Sequence, residues 1–188
     1  MVRWEPGAQQ RLHAAALDLY AERGFEQTTA ADVAQSVGLT ERTFFRYFAD
    51  KREVLFAGQE HFQQVFVDGV AAAPEDAGPL EVVAFALRAA AASFPDERRE
   101  HSRLRDSIIS ANPGLQEREL FKMATLAGAI AGALRARGVS EPQAVLAAET
   151  GVTVFTVSFH RWLAVDEGRS LADVQSATFA ELRALAHA

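Results

Sequence analysis

The chain has 188 residues, enough for one large domain or two small ones. Hydrophobic residues make up 49% of it and charged residues 23%, an ordinary balance for a globular protein, and no apolar run approaches the roughly 20 residues of a membrane span. The absence of cysteine excludes disulfides, thiolate zinc sites and thiol catalysis. Residues 1–7 lack the apolar segment of a signal peptide, so we expect a cytoplasmic protein without a membrane partner.

The charge is distributed unevenly along the chain. The net charge of −6 argues against nucleic-acid binding when the chain is taken as a whole. Residues 1–52, however, carry 7 basic and 7 acidic side chains, which leaves 12 basic and 18 acidic ones in residues 53–188. A neutral N-terminal segment can bind DNA if its basic groups share one face, whereas the acidic remainder would be repelled by phosphate.

The hydrophobic pattern predicts an all-α protein of about nine helices. All six prolines fall between apolar-periodic segments or at their starts, and no alternating strand pattern is bounded by hairpin turns. The predicted helices cover, in chain order, residues 7–23, 30–37, 41–47, 51–72, 79–93, 96–111, 115–137, 141–165 and 171–187. We divide the chain into an N-terminal domain of residues 1–52 and a C-terminal domain of residues 53–188.

Two short predicted helices in the N-terminal domain are joined by a glycine turn. Thr28 or Thr29 is expected to cap the first of them, and Asp32, three residues after Thr29, is a capping-box partner. Gly38 can adopt the left-handed conformation that a tight turn requires, and Thr40 is expected to cap the second helix. Short helices joined in this way are typical of a helix-turn-helix, which places its second helix in the major groove of DNA.

The helix after Gly38 carries side chains suited to DNA. Phe44 and Phe48 are four residues apart, so they share a face that we expect to point into the core. The outer surface is then left with four polar side chains, Arg42, Thr43, Arg46 and Tyr47. Guanidinium groups bind guanine edges or phosphate, and hydroxyls bind bases or phosphate. Lys51 follows at the start of the next predicted helix, where its ammonium could meet the DNA backbone.

Residues 11–56 resemble the N-terminal domain of the tetracycline-repressor (TetR) family of bacterial transcriptional regulators. The resemblance rests on the order Gly-Phe-x-x-Thr-Thr-x-x-Asp-Val-Ala-x-x-x-Gly-Leu-Thr-x-x-Thr-Phe-Phe-x-Tyr-Phe-x-x-Lys-x-x-x-Leu, which begins at Gly24. It implies a three-helix DNA-binding head, joined by a fourth helix to a C-terminal helical body that dimerises and binds a small-molecule effector. Effector binding would rotate the fourth helix and move the two heads out of register.

The resemblance also implies which residues contact a double-stranded operator. They are Thr29 and Thr40 at helix N-termini facing phosphate, Arg42 and Thr43 facing bases, Phe45, Arg46 and Tyr47 in the aromatic-rich turn, and the phosphate-binding Lys51. Phe45 departs from the family, which often has tyrosine there, and Ala30 and Ala31 offer no long polar side chain. The structural alternatives are that the two threonines act only as helix caps and that Tyr47 packs on the next helix.

The C-terminal domain is rich in apolar and aromatic residues. In a family member, part of this set should line a cavity for an apolar or aromatic effector; the alternative is an ordinary hydrophobic core. The candidate pocket residues are Phe85, Leu104, Ile108, Phe121, Leu126, Phe155 and Phe159. The run of alternating charge at residues 96–106 is interpreted as a solvent-facing helix surface, with an anionic-effector site at Arg105 as the alternative.

The last two predicted helices are expected to form a homodimer interface. One carries an apolar stripe of Gly151, Phe155, Phe159 and Trp162, and the other a stripe of Leu171, Val174, Thr178, Leu182 and Leu185. Two such helices and their symmetry mates can form a four-helix bundle with an isologous interface. Either stripe could face the partner or the protein's own core.

An enzyme is not expected. The five histidines are scattered, without the spacing of a metal site, and no phosphate-binding or nucleophile motif occurs, so we expect no metal, no cofactor and no catalytic residue. The sequence therefore favours a ligand-responsive, DNA-binding homodimeric transcriptional regulator, a repressor rather than the rarer activator. The alternative is a helical protein-interaction module, which would show no DNA affinity and no dependence on Arg42 or Arg46.

Overall fold

A computed structural model describes residues 7–186. These residues form nine α-helices, two short 3-10 helices and no strand, which confirms the predicted all-α fold. The α-helices are α1 Ala8–Arg23, α2 Ala30–Ser36, α3 Glu41–Tyr47, α4 Gln59–Ala72, α5 Pro79–Ala91, α6 Arg99–Ser110, α7 Pro113–Ala136, α8 Glu141–Trp162 and α9 Leu171–Ala186.

The described residues divide into two compact units. The first contains residues 7–58 and 103–117, and the second contains residues 59–102 and 118–186. Each unit has its own cluster of buried apolar side chains. The predicted domain boundary after residue 52 lies six residues before the end of the first segment, and the sequence pattern did not indicate that residues 103–117 join the N-terminal unit.

The first unit packs its helices around side chains that share buried faces. Leu12 of α1, Val33 of α2 and Phe44 of α3 are fully buried, in agreement with the helical spacing of the apolar residues. Ile108 and Leu115, from residues 103–117, belong to the same cluster. The three N-terminal helices therefore have a continuous core, which orients the polar outer surface of α3.

The predicted helix of residues 51–72 is wrong, because two separate helices cover this range. A 3-10 helix covers Glu53–Phe56, and α4 begins only at Gln59. Gly58 lies between them with φ of 82°, a conformation that side chains with a Cβ rarely adopt. The three consecutive residues 54–56 are all buried, a pattern that one continuous α-helix with a single apolar face cannot produce.

The second unit is a helical bundle that includes α4, α5, α8 and α9. Its core contains a cluster of six aromatic rings, defined here as the aromatic cluster, with neighbouring ring centroids 5.1 to 6.3 Å apart. The rings belong to Phe62, Phe66, Phe94, Phe155, Phe159 and Trp162. Edge-to-face and tilted contacts of this kind stabilise a core beyond the burial of apolar area alone.

Arg137, just past the end of α7, caps the C-terminal end of α4. Its guanidinium donates to the backbone carbonyls of Val70 at 3.2 Å, Ala73 at 3.1 Å and Pro74 at 2.6 Å. The last carbonyls of a helix have no partner within the helix, and a cation also interacts favourably with the negative end of the helix dipole. This side chain therefore anchors the end of α4 within the second unit.

Candidate nucleic-acid interface

The N-terminus of α2 is closed by a reciprocal capping box, as predicted. The amide of Asp32 donates to the Thr29 hydroxyl oxygen at 3.1 Å, and the amide of Thr29 donates to the Asp32 carboxylate at 2.8 Å. The Thr29 hydroxyl also donates to that carboxylate, at 2.6 Å. These hydrogen bonds, the hydroxyl one first, lower the pKa of Asp32 below its ordinary value because they stabilise the charged form.

The turn between α2 and α3 has the predicted left-handed glycine. Gly38 has φ of 71°, and the amide of Leu39 donates back to the carbonyl of Ala34 at 2.9 Å. Ala34 is fully buried, which lets the two short helices approach closely. Thr40 then caps α3 by accepting from the amide of Thr43 at 3.3 Å.

Helix α3 presents six residues outside its buried face, which we call the recognition surface: Glu41, Arg42, Thr43, Phe45, Arg46 and Tyr47. Phe44 and Phe48 are buried, as predicted. Arg42 and Arg46 are exposed and lie four residues apart, so both guanidinium groups project from the same side of the helix. Phe45, 49% exposed, lies beside them as an apolar group in contact with solvent.

Two pairs of polar side chains, on α3 or at its cap, are ordered by contacts with each other. The Arg46 guanidinium donates to the Tyr47 hydroxyl at 3.2 Å, and its central carbon lies 5.0 Å from the centroid of the Tyr47 ring. The hydroxyls of Thr40 and Thr43 lie 3.0 Å apart. Tyr47 is only partly exposed and packs against the core of the first unit. The polar groups thus occupy preferred positions before any ligand is present, which reduces the entropy lost on binding.

Lys51 is engaged within the first unit. Its ammonium donates to the carbonyls of Phe25 at 2.9 Å, Thr28 at 3.3 Å and Glu26 at 3.4 Å. It also lies 4.3 Å from the centroid of the Phe25 ring. The three N–H groups of a lysine can all be satisfied by these carbonyls. A role of Lys51 in phosphate binding stays a prediction, beside a structural role that the spacing did not indicate.

The candidate effector residues do not form one group. Phe85, Leu126, Phe155 and Phe159 belong to the core of the second unit or pack against it. Leu104 and Ile108 instead belong to the core of the first unit, and Phe121 is 66% exposed on α7. The structure therefore brings four of the seven residues into one core, and the effector pocket stays a prediction.

Arg105, the alternative candidate for an anionic effector, also lies in the first unit. Its Nε donates to the carbonyl of Leu55 at 2.8 Å, and its guanidinium carbon lies 5.2 Å from the centroid of the Phe56 ring. These contacts give Arg105 a packing role.

The outer faces of α8 and α9 remain available for a partner. Gly151, Phe155 and Trp162 are buried, and Leu171, Val174 and Thr178 are buried as well. Both predicted stripes therefore face the protein's own core over most of their length. The opposite face of α8 exposes Val145, Leu146 and Val157. Exposed apolar side chains that share one helix face are typical of a protein–protein contact.

Across residues 7–186, no helix has the length and apolar character needed to cross a membrane. The same residues contain no group of three or more histidine, aspartate or glutamate side chains that could hold a metal ion.

Two protein-family models match this chain. Residues 12–57 match the model described as bacterial regulatory proteins, tetR family. Residues 77–186, more than half of the chain, match the model described as the MftR C-terminal domain.

Several known proteins resemble the chain. The HTH-type transcriptional regulator TcmR of Streptomyces glaucescens is 29% identical over 146 residues, which cover 70% of this chain but only 64% of TcmR, less than two thirds of its length. A protein of Mycobacterium tuberculosis H37Rv, assigned as the mycofactocin biosynthesis transcriptional regulator MftR, is 26% identical over 87% of this chain and 83% of its own. The crystal structure of Thermus thermophilus FadR, a TetR-family repressor in complex with lauroyl-CoA, has the same fold, with a TM-score of 0.56, 24% identity and 93% of each chain covered.

Proposed function

The chain belongs to the TetR family of bacterial transcriptional regulators, and we propose that it is a homodimeric repressor that leaves a palindromic operator when a small-molecule effector binds. The observation that carries the DNA-binding part is the recognition surface of α3. Arg42 and Arg46 are exposed on one side of a short helix that begins three residues after Gly38. A helix-turn-helix uses this helix to contact base edges in the major groove.

Five side chains of the recognition surface have contacts to which their chemistry is suited. Arg42 and Arg46 are suited to the O6 and N7 acceptors of guanine, and Thr43 to either a base or a phosphate. The exposed ring of Phe45 offers apolar contact to a thymine methyl group. Tyr47 takes a phosphate through its hydroxyl, which Arg46 already orients.

Contacts to the DNA backbone are proposed for the helix N-termini and for Lys51. Thr29 and Thr40 cap α2 and α3, where free amide groups and the helix dipole favour phosphate. Lys51 would contribute long-range attraction while its ammonium remains bound to the carbonyls of residues 25–28. Such contacts position the protein without distinguishing sequences.

We assign the dimer contact to the exposed faces of α8 and α9. The family resemblance implies a homodimer, and the exposed apolar side chains Val145, Leu146 and Val157 are suited to contact with a partner subunit. A twofold dimer would place two copies of α3 on half-sites one helical turn, about 34–36 Å, or a multiple of it apart.

The effector is proposed to be an apolar or aromatic small molecule that binds beside the aromatic cluster of the second unit. The candidate contacts are Phe85, Leu126, Phe155 and Phe159. The effector must bind more tightly to the conformation that does not bind DNA. An effector with equal affinity for both conformations would not change the equilibrium between them, and the protein would stay on the operator. The protein would work in the cytoplasm, where bacterial DNA is accessible.

The test is selection of bound fragments from random duplex DNA by the full chain. We expect a palindromic consensus for the unaltered protein. Arg42→Ala should weaken operator binding by about 1–3 kcal/mol and relax the preference at one position of each half-site. Arg88→Ala, which removes an equal charge from an exposed site in the second unit, should leave the consensus unchanged.

The same selection contradicts the proposal if the protein enriches no sequence. That result would favour the protein-interaction module. An Arg42→Ala protein with full operator affinity would remove Arg42 from the base contacts.

A further inference from the structure

The recognition surface contains one carboxylate that the proposed contacts leave unused. Glu41 is the first residue of α3, immediately after the cap Thr40, and its side chain is exposed. Within residues 7–186 its carboxylate takes part in no hydrogen bond or ion pair, and the Arg46 guanidinium donates to the Tyr47 hydroxyl instead. An inference about Glu41 rests on the proposed function, because it concerns the same surface.

A free negative charge at this position opposes DNA binding. The N-terminal residues of a recognition helix enter the major groove, between two rows of phosphates. There the carboxylate is repelled by phosphate and loses water. A hydrogen bond that the carboxylate accepts from the DNA offsets this cost. Cytosine presents the N4 amino group in the major groove, and glutamate is the acceptor suited to it.

The neighbour of Glu41 on the helix surface favours such a hydrogen bond. Phe45 lies four residues further along α3, so the two side chains are adjacent on one edge of the recognition surface. With 49% of its surface exposed, the Phe45 ring can cover the carboxylate when α3 lies in the groove. Exclusion of water strengthens a charge-assisted hydrogen bond.

We propose that Glu41 is a specificity-determining residue that selects a cytosine in each half-site by accepting a hydrogen bond from its N4 amino group. Glu41 discriminates against the other bases because its carboxylate then lies in the groove without a donor. Adenine also carries an amino group, but its N7 acceptor faces the same edge and repels a carboxylate.

Glu41 has a second effect that the test must separate from base selection. An acidic residue in the first turn stabilises a helix through the helix dipole. A substitution that removes the charge therefore weakens α3 slightly at any operator sequence. Only a change in base preference reports the proposed hydrogen bond.

The experiment compares the unaltered full chain with Glu41→Gln and with Glu22→Gln. Glu22 is an exposed residue of α1, so its substitution changes the net charge by the same amount outside the recognition surface. Each protein is used to select fragments from random duplex DNA. Its affinity is then measured for the selected operator and for an operator whose paired cytosines are replaced.

We expect the unaltered protein and Glu22→Gln to require one cytosine in each half-site and to lose affinity at least about tenfold when both are replaced. Glu41→Gln should lose less than about twofold and accept adenine, whose N6 and N7 suit an amide. It should also bind random duplex DNA more tightly than Glu22→Gln does, because a repulsive charge has left the groove.

The inference is overturned if Glu41→Gln and the unaltered protein select the same consensus. It is also overturned if the consensus of the unaltered protein has no invariant cytosine in each half-site. Neither result contradicts the proposed function. If the unaltered protein selects no palindrome, the inference and the proposed function fall together.

Discussion

Lys51 holds the segment between α1 and α2 in place. Three carbonyls of residues 25–28 accept hydrogen bonds from the Lys51 ammonium. The backbone carbonyl of Lys51 accepts a hydrogen bond from the Tyr20 hydroxyl at 2.8 Å. The segment ends at Thr29, the cap of α2. A single side chain thus connects the start of the helix-turn-helix to the residues that follow it.

The substitution Lys51→Met should therefore lower the free energy of unfolding, whatever its effect on DNA binding. It removes two partly buried hydrogen bonds and one exposed hydrogen bond to carbonyls, together with the contact with the Phe25 ring, so we expect a loss of about 1–3 kcal/mol. Its neighbour Arg52 pairs with Asp50 at the surface, and Arg52→Met should cost less than about 1 kcal/mol. Urea unfolding of the full chain measures both.

Equal losses for the two variants would show that the Lys51 contacts contribute no more to stability than a surface ion pair.

Glu41 and Lys51 illustrate how far sequence reasoning reaches for single residues. The motif indicated where cations and aromatic residues lie, and Arg42, Arg46 and Phe45 are indeed exposed on α3. It did not indicate that Lys51 is bound by backbone carbonyls, because those carbonyls come from residues more than twenty positions away. The motif did not indicate Glu41 as a DNA-contacting residue, because a carboxylate is not an expected part of a DNA-binding surface.

At the scale of elements, the capping box of α2 makes local stability dependent on pH. The pKa of Asp32 is lowered by the Thr29 hydroxyl and amide. The folded state favours the charged carboxylate, so the Asp32 charge adds to the free energy of unfolding. This stabilisation is complete above the pKa of Asp32 in the unfolded chain, about 4, and it is lost as the pH falls through the lower pKa of Asp32 in the folded protein.

The substitution Asp32→Asn keeps an acceptor but removes the charge that titrates. We expect the unaltered protein to be more stable than Asp32→Asn by a constant margin above about pH 5, and this margin to shrink as the pH falls below about 4. Thermal unfolding of both proteins between pH 7 and pH 3 measures the margin. A margin that does not change with pH would contradict a role for the Asp32 charge.

The helix boundaries show which local signals suffice. Thr29, Gly38 and Thr40 define α2 and α3 as predicted, because caps and left-handed glycines act through backbone groups only a few residues away. Gly58 was missed, since buried residues on both sides of it continued the apolar pattern of the predicted helix. The sequence alone does not show whether a glycine inside an apolar segment ends a helix, because this depends on how the neighbouring residues pack.

At the scale of the whole molecule, the exposed face of α8 is the proposed dimer contact. Leu146 and Val157 are 68% and 48% exposed on this face. Glutamate at either position would bury an unpaired carboxylate in the proposed interface. A twofold dimer would contain two such carboxylates, one from each subunit. We therefore expect Leu146→Glu or Val157→Glu to raise the dimer dissociation constant at least about tenfold, as measured by sedimentation over a range of concentrations.

Leu120 provides the matched control, because it is a leucine on α7 with 70% exposure. Leu120→Glu should leave the dimer intact. Dimers that persist in both α8 variants, or that dissociate in Leu120→Glu, would place the interface elsewhere.

The sequence by itself determined the all-α class, the helix-turn-helix, its caps and its family. These properties depend on the period of apolar residues and on contacts within a few residues of the chain. Only the tertiary structure decided that residues 103–117 join the first unit, that the apolar stripes of α8 and α9 face the core over most of their length, and that the seven candidate effector residues belong to different surroundings. An apolar face must be buried, but periodicity does not specify against which distant segment, and that choice is made when the whole chain packs.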